Sequence, residues 1–208
     1  MKFFSYESRF SQLMLKLSYC CCLNFLWLIC SLPVFTIGAS TTALYYVCFK
    51  VIRNEETHVF PMFFRSFKEN FKQATILWLI LLAVGSFIAA DAYIVYHMRA
   101  ASENTAAVIW TLLFAVIIAA AVIYFIILLF TFPLLANFDN TTKAMLKNAF
   151  LVGTHFLFAT LSVFGVHFII FFIIVRFFTP LIVLGEGLCA MLSAWLLNNV
   201  MISITPEE

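Results

Sequence analysis

Asp91, Arg176 and Glu186 are ionisable residues set in sequence that is otherwise strongly apolar. A charge in hydrocarbon is costly, and such residues mark ion or substrate paths, proton relays or counter-ions. A second polar feature lies early, in LPVFTIGAS (Leu32–Ser40), where Pro33 and Gly38 interrupt an apolar run and weaken any helix drawn through it. A helix restarting at Gly38 offers free N–H groups and a positive dipole end, suited to anions or hydroxyl-rich ligands. Thr36, Gly38, Ser40 and Thr41 are therefore candidate ligand contacts. Asp91 and Glu186 would supply acceptors or carry a coupling proton, with Arg176 in the same layer. The structural alternative is that Thr36 and Ser40 satisfy backbone groups freed at the break. In that case Asp91 and Glu186 cap loops or pair with Arg176 and His97.

Other chemistries find little support. No GxSxG, HExxH, Walker or DxxD pattern occurs, so an enzyme is not expected. The six cysteines form no CxxC pair, and the four histidines no HxxxH pair. His155 and His167 would lie about 120° apart around a helix, so neither a metal nor another cofactor is expected. The cysteines read as small apolar packers. A net charge of +2 without a Lys/Arg-rich block argues against nucleic acid. Lys2, Arg9 and Lys16 precede the first apolar run, which is not the plan of a cleaved signal peptide.

Lipid must position these residues. Of 208 residues 64% are hydrophobic and 11% charged, against about half and a quarter in soluble domains. The fold class is all-α, a polytopic helical membrane protein with about six transmembrane helices in one integral membrane domain. Four later spans cover residues 74–97, 106–135, 149–175 and 179–203. Residues 17–52 are too long for one crossing, at about 50 Å against a ~30 Å core. They read as a hairpin of two short arms, Leu17–Leu32 and Gly38–Ile52, with a re-entrant hairpin as the variant.

Charge placement supports the hairpin. With two arms, ten of the twelve Lys and Arg lie on one side, leaving Arg99 and Arg176 on the other; a single crossing gives seven to five. The positive-inside rule then puts both termini in the cytoplasm. Under this topology Asp91 lies about 25 Å up its span and Glu186 about 9 Å down its own. Both then share the outer third of the membrane with the hairpin tip.

Two amphipathic helices are predicted on the membrane surface, at 1–16 and 59–73. In the second, Phe60, Phe63, Phe64, Phe67 and Phe71 oppose Arg65, Lys68 and Lys72. An apolar stripe opposed by basic residues fits a helix in the headgroup plane. Arg65, Lys68 and Lys72 are candidate lipid or partner contacts, or simply anchors that fix topology.

The block Asn24–x–x–Trp27…Leu32–Pro33–x–x–Thr36–x–Gly38–Ala39–Ser40, followed by FKENFKQATILWLI and FPLLANFDNTTKAMLKNAF, resembles the YesL family of bacterial integral membrane proteins, a domain family of unknown function. The resemblance runs along nearly the whole chain. It implies a compact helical protein of the bacterial cell membrane, associated with carbohydrate utilisation and sugar uptake, and it brings no catalytic residues. The expected function is an accessory or regulatory component of such a system, with the lipid bilayer, sugar transporter components and a homo-oligomer as partners. The alternative is a small-solute permease with its site near Asp91 and Glu186. An intramembrane enzyme is the least supported reading.

Overall fold

The computed structural model describes residues 9–55, 58–101, 104–176 and 185–205. Residues 1–8 of the expected N-terminal surface helix, and 179–184 of the expected last span, lie outside the described residues. In lipid, each backbone polar group must be bonded within its own segment, and the described elements are helices. They are α1 (Arg9–Cys30), a 3-10 turn (Val34–Thr36), α2 (Ile37–Ile52), α3 (Val59–Ala100), α4 (Asn104–Leu135), α5 (Thr142–His155), α6 (Leu157–Arg176) and α7 (Gly185–Ser203).

Three boundaries differ from the sequence expectation. Residues 9–16 continue directly into α1, giving a helix of 22 residues, about 33 Å long. Residues 59–73 and 74–97 likewise form the single helix α3, 42 residues long and about 63 Å from end to end. Pro61 falls in its first turn, where a missing N–H costs nothing, and no residue between Phe71 and Thr75 breaks a helix. The expected span 149–175 is instead divided between α5 and α6 at Phe156, whose ψ of 56° leaves the helical region. Thr160 Oγ1 repairs the break by donating to the carbonyl oxygens of Gly153 (2.7 Å) and Phe156 (3.2 Å).

Helix α2 is the centre of the bundle. Its buried residues run almost continuously from Gly38 to Val51, and α1, α3, α4 and α7 all pack on it. By contrast, no residue in the most apolar stretch of α4 is buried. Phe87, Tyr93, Leu112, Val116, Phe168 and Phe171 all point outwards, as side chains facing acyl chains do. Among the described residues, four helices are long and apolar enough to cross a membrane: Val34–Ile52 and those within Val59–Ala100, Ala106–Leu135 and Leu157–Arg176. The protein is a polytopic, all-α membrane protein.

One end of the bundle is polar and basic. Lys16 lines a recess with Ile52, Asn198 and Asn199, which aligns the start of α1 with the ends of α2 and α7. Arg53 donates from Nε to Asn198 Oδ1 (2.9 Å) and from Nη2 to Asn137 Oδ1 (3.2 Å). Gln73 Nε2 donates to the Asn140 carbonyl at 2.6 Å, joining α3 to the α4–α5 loop. Thr141 caps α5 there, accepting from Ala144 N–H, as an N-terminal hydroxyl should. Arg99 closes α3 about 39 Å beyond Gln73.

Candidate functional site: a lateral groove at the hairpin

The hairpin turn is closed upon itself. Thr36 Oγ1 donates to the carbonyl oxygens of Cys30 and Pro33, both at 2.6 Å. Trp27 Nε1 donates to Thr41 Oγ1 at 3.0 Å, tying α1 to α2. Trp78 Nε1 donates to the Val34 carbonyl at 2.8 Å, tying the turn to α3. A Cβ on Gly38 would come within 2.5 Å of the Ala74 carbonyl oxygen and 2.7 Å of Trp78 Cβ, so this glycine permits the close approach of α2 to α3. Ser40 is fully buried, and its hydroxyl has no hydrogen-bond partner among the described residues. Thr36, Gly38 and Thr41 thus serve the turn and its docking. None of these four residues lines the principal cavity.

The expected polar layer does not form. The hairpin tip is level with Trp78 on α3, and Asp91 lies thirteen residues further along the same helix, about 20 Å away. The reason is the Gly38 contact, which docks α2 on the first half of α3 and leaves the second half to α4. Asp91 is half-buried and lines none of the main cavities. Among the described residues the ion pairs are Lys50–Glu55 and Arg65–Glu69. Asp91 and Glu186 therefore pair with neither Arg176, which is exposed, nor His97, which packs on Tyr93 at 4.4 Å.

The start of α3 carries its basic residues on the surface. Arg65, Lys68 and Lys72 are exposed, and Arg65 Nε meets Glu69 Oε1 at 2.9 Å. Phe60, Phe64 and Phe71 are also exposed, whereas Phe63 is fully buried. The aromatic stripe is therefore shared between the core and the surroundings.

Glu186 reaches a different environment. A groove of about 760 Å³ lies between α1 and α6 over the start of α7. Its rims are the exposed apolar side chains of Leu28 on one wall and Phe164, Phe168, Phe171 and Val175 on the other. Its polar lining comes from Asn24, His167, Glu186 and Cys189. Asn24 Oδ1 accepts from Gly187 N–H at 3.0 Å, fastening α1 to α7. A Cβ on Gly187 would lie 2.5 Å from the Cys20 carbonyl oxygen, so only glycine allows this approach. His167, Glu186 and Cys189 each bring one ligand atom within 4.8 Å of the other two. No metal is expected from the sequence, because the donors do not recur at a ligand spacing along one helix. The available signal was Glu186–x–x–Cys189, an i, i+3 pair on one helical face, with His167 arriving from α6.

Fold and groove define the class: an all-α membrane protein with a polar-floored lateral groove. A family model described as "Protein of unknown function, DUF624" matches residues 20–92. Over 150 residues the chain is 28% identical to "Uncharacterized protein YesL" of Bacillus subtilis (strain 168), covering 70% of this chain and 66% of that relative, just under two thirds of its length. No solved structure matches. The chain is thus similar to YesL over most of its length and, across residues 20–92, to this family of unknown function.

Proposed function

We propose that this protein is a non-enzymatic accessory or regulatory component of the bacterial cell membrane, working beside a carbohydrate uptake system with both termini in the cytoplasm. The observation that carries this reading is the division of its two membrane carboxylates. Glu186 faces a groove rimmed by exposed apolar side chains, while Asp91 lies elsewhere on α3. A permease built on both carboxylates loses its shared site. A sideways groove suits a ligand or partner met within the membrane.

The orientation follows from charge. Lys16, Lys50 and Arg53 belong to helix ends grouped at one end of the bundle, and an excess of Lys and Arg favours the cytoplasmic side. The carbohydrate element comes from the family resemblance alone. Components of a sugar transporter are the proposed partners, and a second copy of this chain is another.

Reconstitution in liposomes separates accessory from permease. Sugar and ion flux would be measured for the wild type, Asp91→Asn and Glu186→Gln. No flux, with co-purification of a transporter subunit, is the expected result. Uptake by the protein alone that either substitution abolishes would overturn the accessory reading in favour of the permease.

A further inference from the structure

We propose that His167, Glu186 and Cys189 form a binding site for a zinc-class divalent cation, with an open coordination position facing the groove. The site stands independently of any transport or accessory role.

Three features converge on it. The first is proximity: one imidazole nitrogen, one carboxylate oxygen and one sulfur lie within 4.8 Å of each other across two helices. Ligand atoms around a tetrahedral zinc sit about 3.5 Å apart, given metal–ligand distances of about 2.0–2.3 Å. Side-chain rotations of the three ligands must close the remaining difference.

The second is the histidine's hydrogen bond. His167 Nδ1 is 2.9 Å from the Val163 carbonyl oxygen. A carbonyl only accepts, so Nδ1 carries the proton and Nε2 of the neutral ring keeps its lone pair for a metal. This outer bond to a backbone carbonyl is the usual way in which a ligating histidine is fixed.

The third is charge. Glu186 lines an apolar groove with His167 as its electrostatic neighbour within 4.8 Å, and no Lys or Arg forms an ion pair with it among the described residues. A divalent cation bound by carboxylate, thiolate and neutral imidazole makes a neutral unit, and the thiol proton leaves to the buffer as the metal enters. Nitrogen and sulfur donors favour zinc or its neighbours over magnesium or calcium. Three protein ligands with a fourth position open is the plan of zinc sites that bind a further molecule.

The test uses full-length protein in detergent, stripped with a chelator and titrated with Zn²⁺ against a chromophoric competitor, and separately with Co²⁺. One Zn²⁺ per chain is expected, with a thiolate-to-cobalt charge-transfer band on Co²⁺ loading. His167→Gln, Glu186→Gln and Cys189→Ala should each weaken binding by more than the ten- to hundredfold that an outer-shell loss costs. Cys189→Ala should also abolish the charge-transfer band. His155→Gln and Cys22→Ala should leave both unchanged. X-ray absorption of the zinc-loaded wild type, showing one sulfur among nitrogen and oxygen neighbours, decides the ligand set even where a variant fails to fold. Absence of stoichiometric zinc, zinc without a sulfur neighbour, or binding that survives all three substitutions would overturn the proposal.

Discussion

The hairpin turn and the groove are both polar insertions in an apolar protein, yet they are finished in opposite ways. At the turn, the Thr36 and Thr41 hydroxyls and the Trp27 and Trp78 indoles are spent on closing the chain and docking it. At the groove, Glu186, His167 and Cys189 come together at the edge of a cavity. The contrast separates polar groups that hold the fold from polar groups available to a ligand. Sequence composition alone treats them alike, because both appear as hydroxyl, amide or acidic residues among apolar ones.

If that contrast is right, substitutions at the turn should cost stability and those at the groove should not. The largest effect is expected for Gly38→Leu. Its first added carbon already collides with the Ala74 carbonyl, and an overpacked contact against backbone should cost about 3 kcal/mol or more. Thermal unfolding of purified protein should show this as a large drop in Tm or loss of monodisperse material; a wild-type Tm would break the account of α2 docking. Thr36→Val removes the hydroxyl that closes the turn; Pro33 keeps its bond from Thr36 N–H, whereas losing the donor to the Cys30 carbonyl should cost about 1–3 kcal/mol. Trp78→Phe keeps the ring packing on Phe132 but loses the bond to Val34, with an expected cost of about 1 kcal/mol. In metal-free protein, Glu186→Gln should leave Tm unchanged or raise it, since it removes an ionisable group from an apolar groove that has no Lys or Arg ion-pair partner among the described residues and so relieves a desolvation cost. A marked loss of stability there would place Glu186 with the structural residues. Arg65→Ala should be the mildest, with no resolvable shift in Tm, because its pair with Glu69 is exposed and such pairs contribute little.

Much of the architecture was legible in the sequence. The excess of apolar residues made a helical membrane protein the consistent reading, and the Pro33–Gly38 interruption marked a turn between helices. Helix ends were harder. Nothing in residues 9–16 or 71–75 shows that a surface helix runs unbroken into the next element, since amphipathic and wholly apolar segments join without any breaking residue. The break at Phe156 had no proline to announce it. Counting residues from a membrane face gave each carboxylate a height, but which part of α3 meets the hairpin depends on a contact at Gly38. That contact lowered the tip by about 20 Å relative to Asp91. The groove was illegible for a related reason: Asn24, His167 and Glu186 belong to three helices far apart in the chain. Of the three, Glu186 alone stands out in the sequence as a candidate ligand contact, grouped there with Asp91 rather than with His167 and Cys189.

The bond from Gly187 to Asn24 also sets a timetable for assembly. Its partners are 163 residues apart, so at ~5–20 residues per second the ribosome delivers the second roughly 8–33 s after the first. During that interval the faces of α1 and α2 that will receive α7 must be covered by lipid or by an insertion factor. The hairpin can dock on α3 early, whereas the groove is completed only when the last helix arrives.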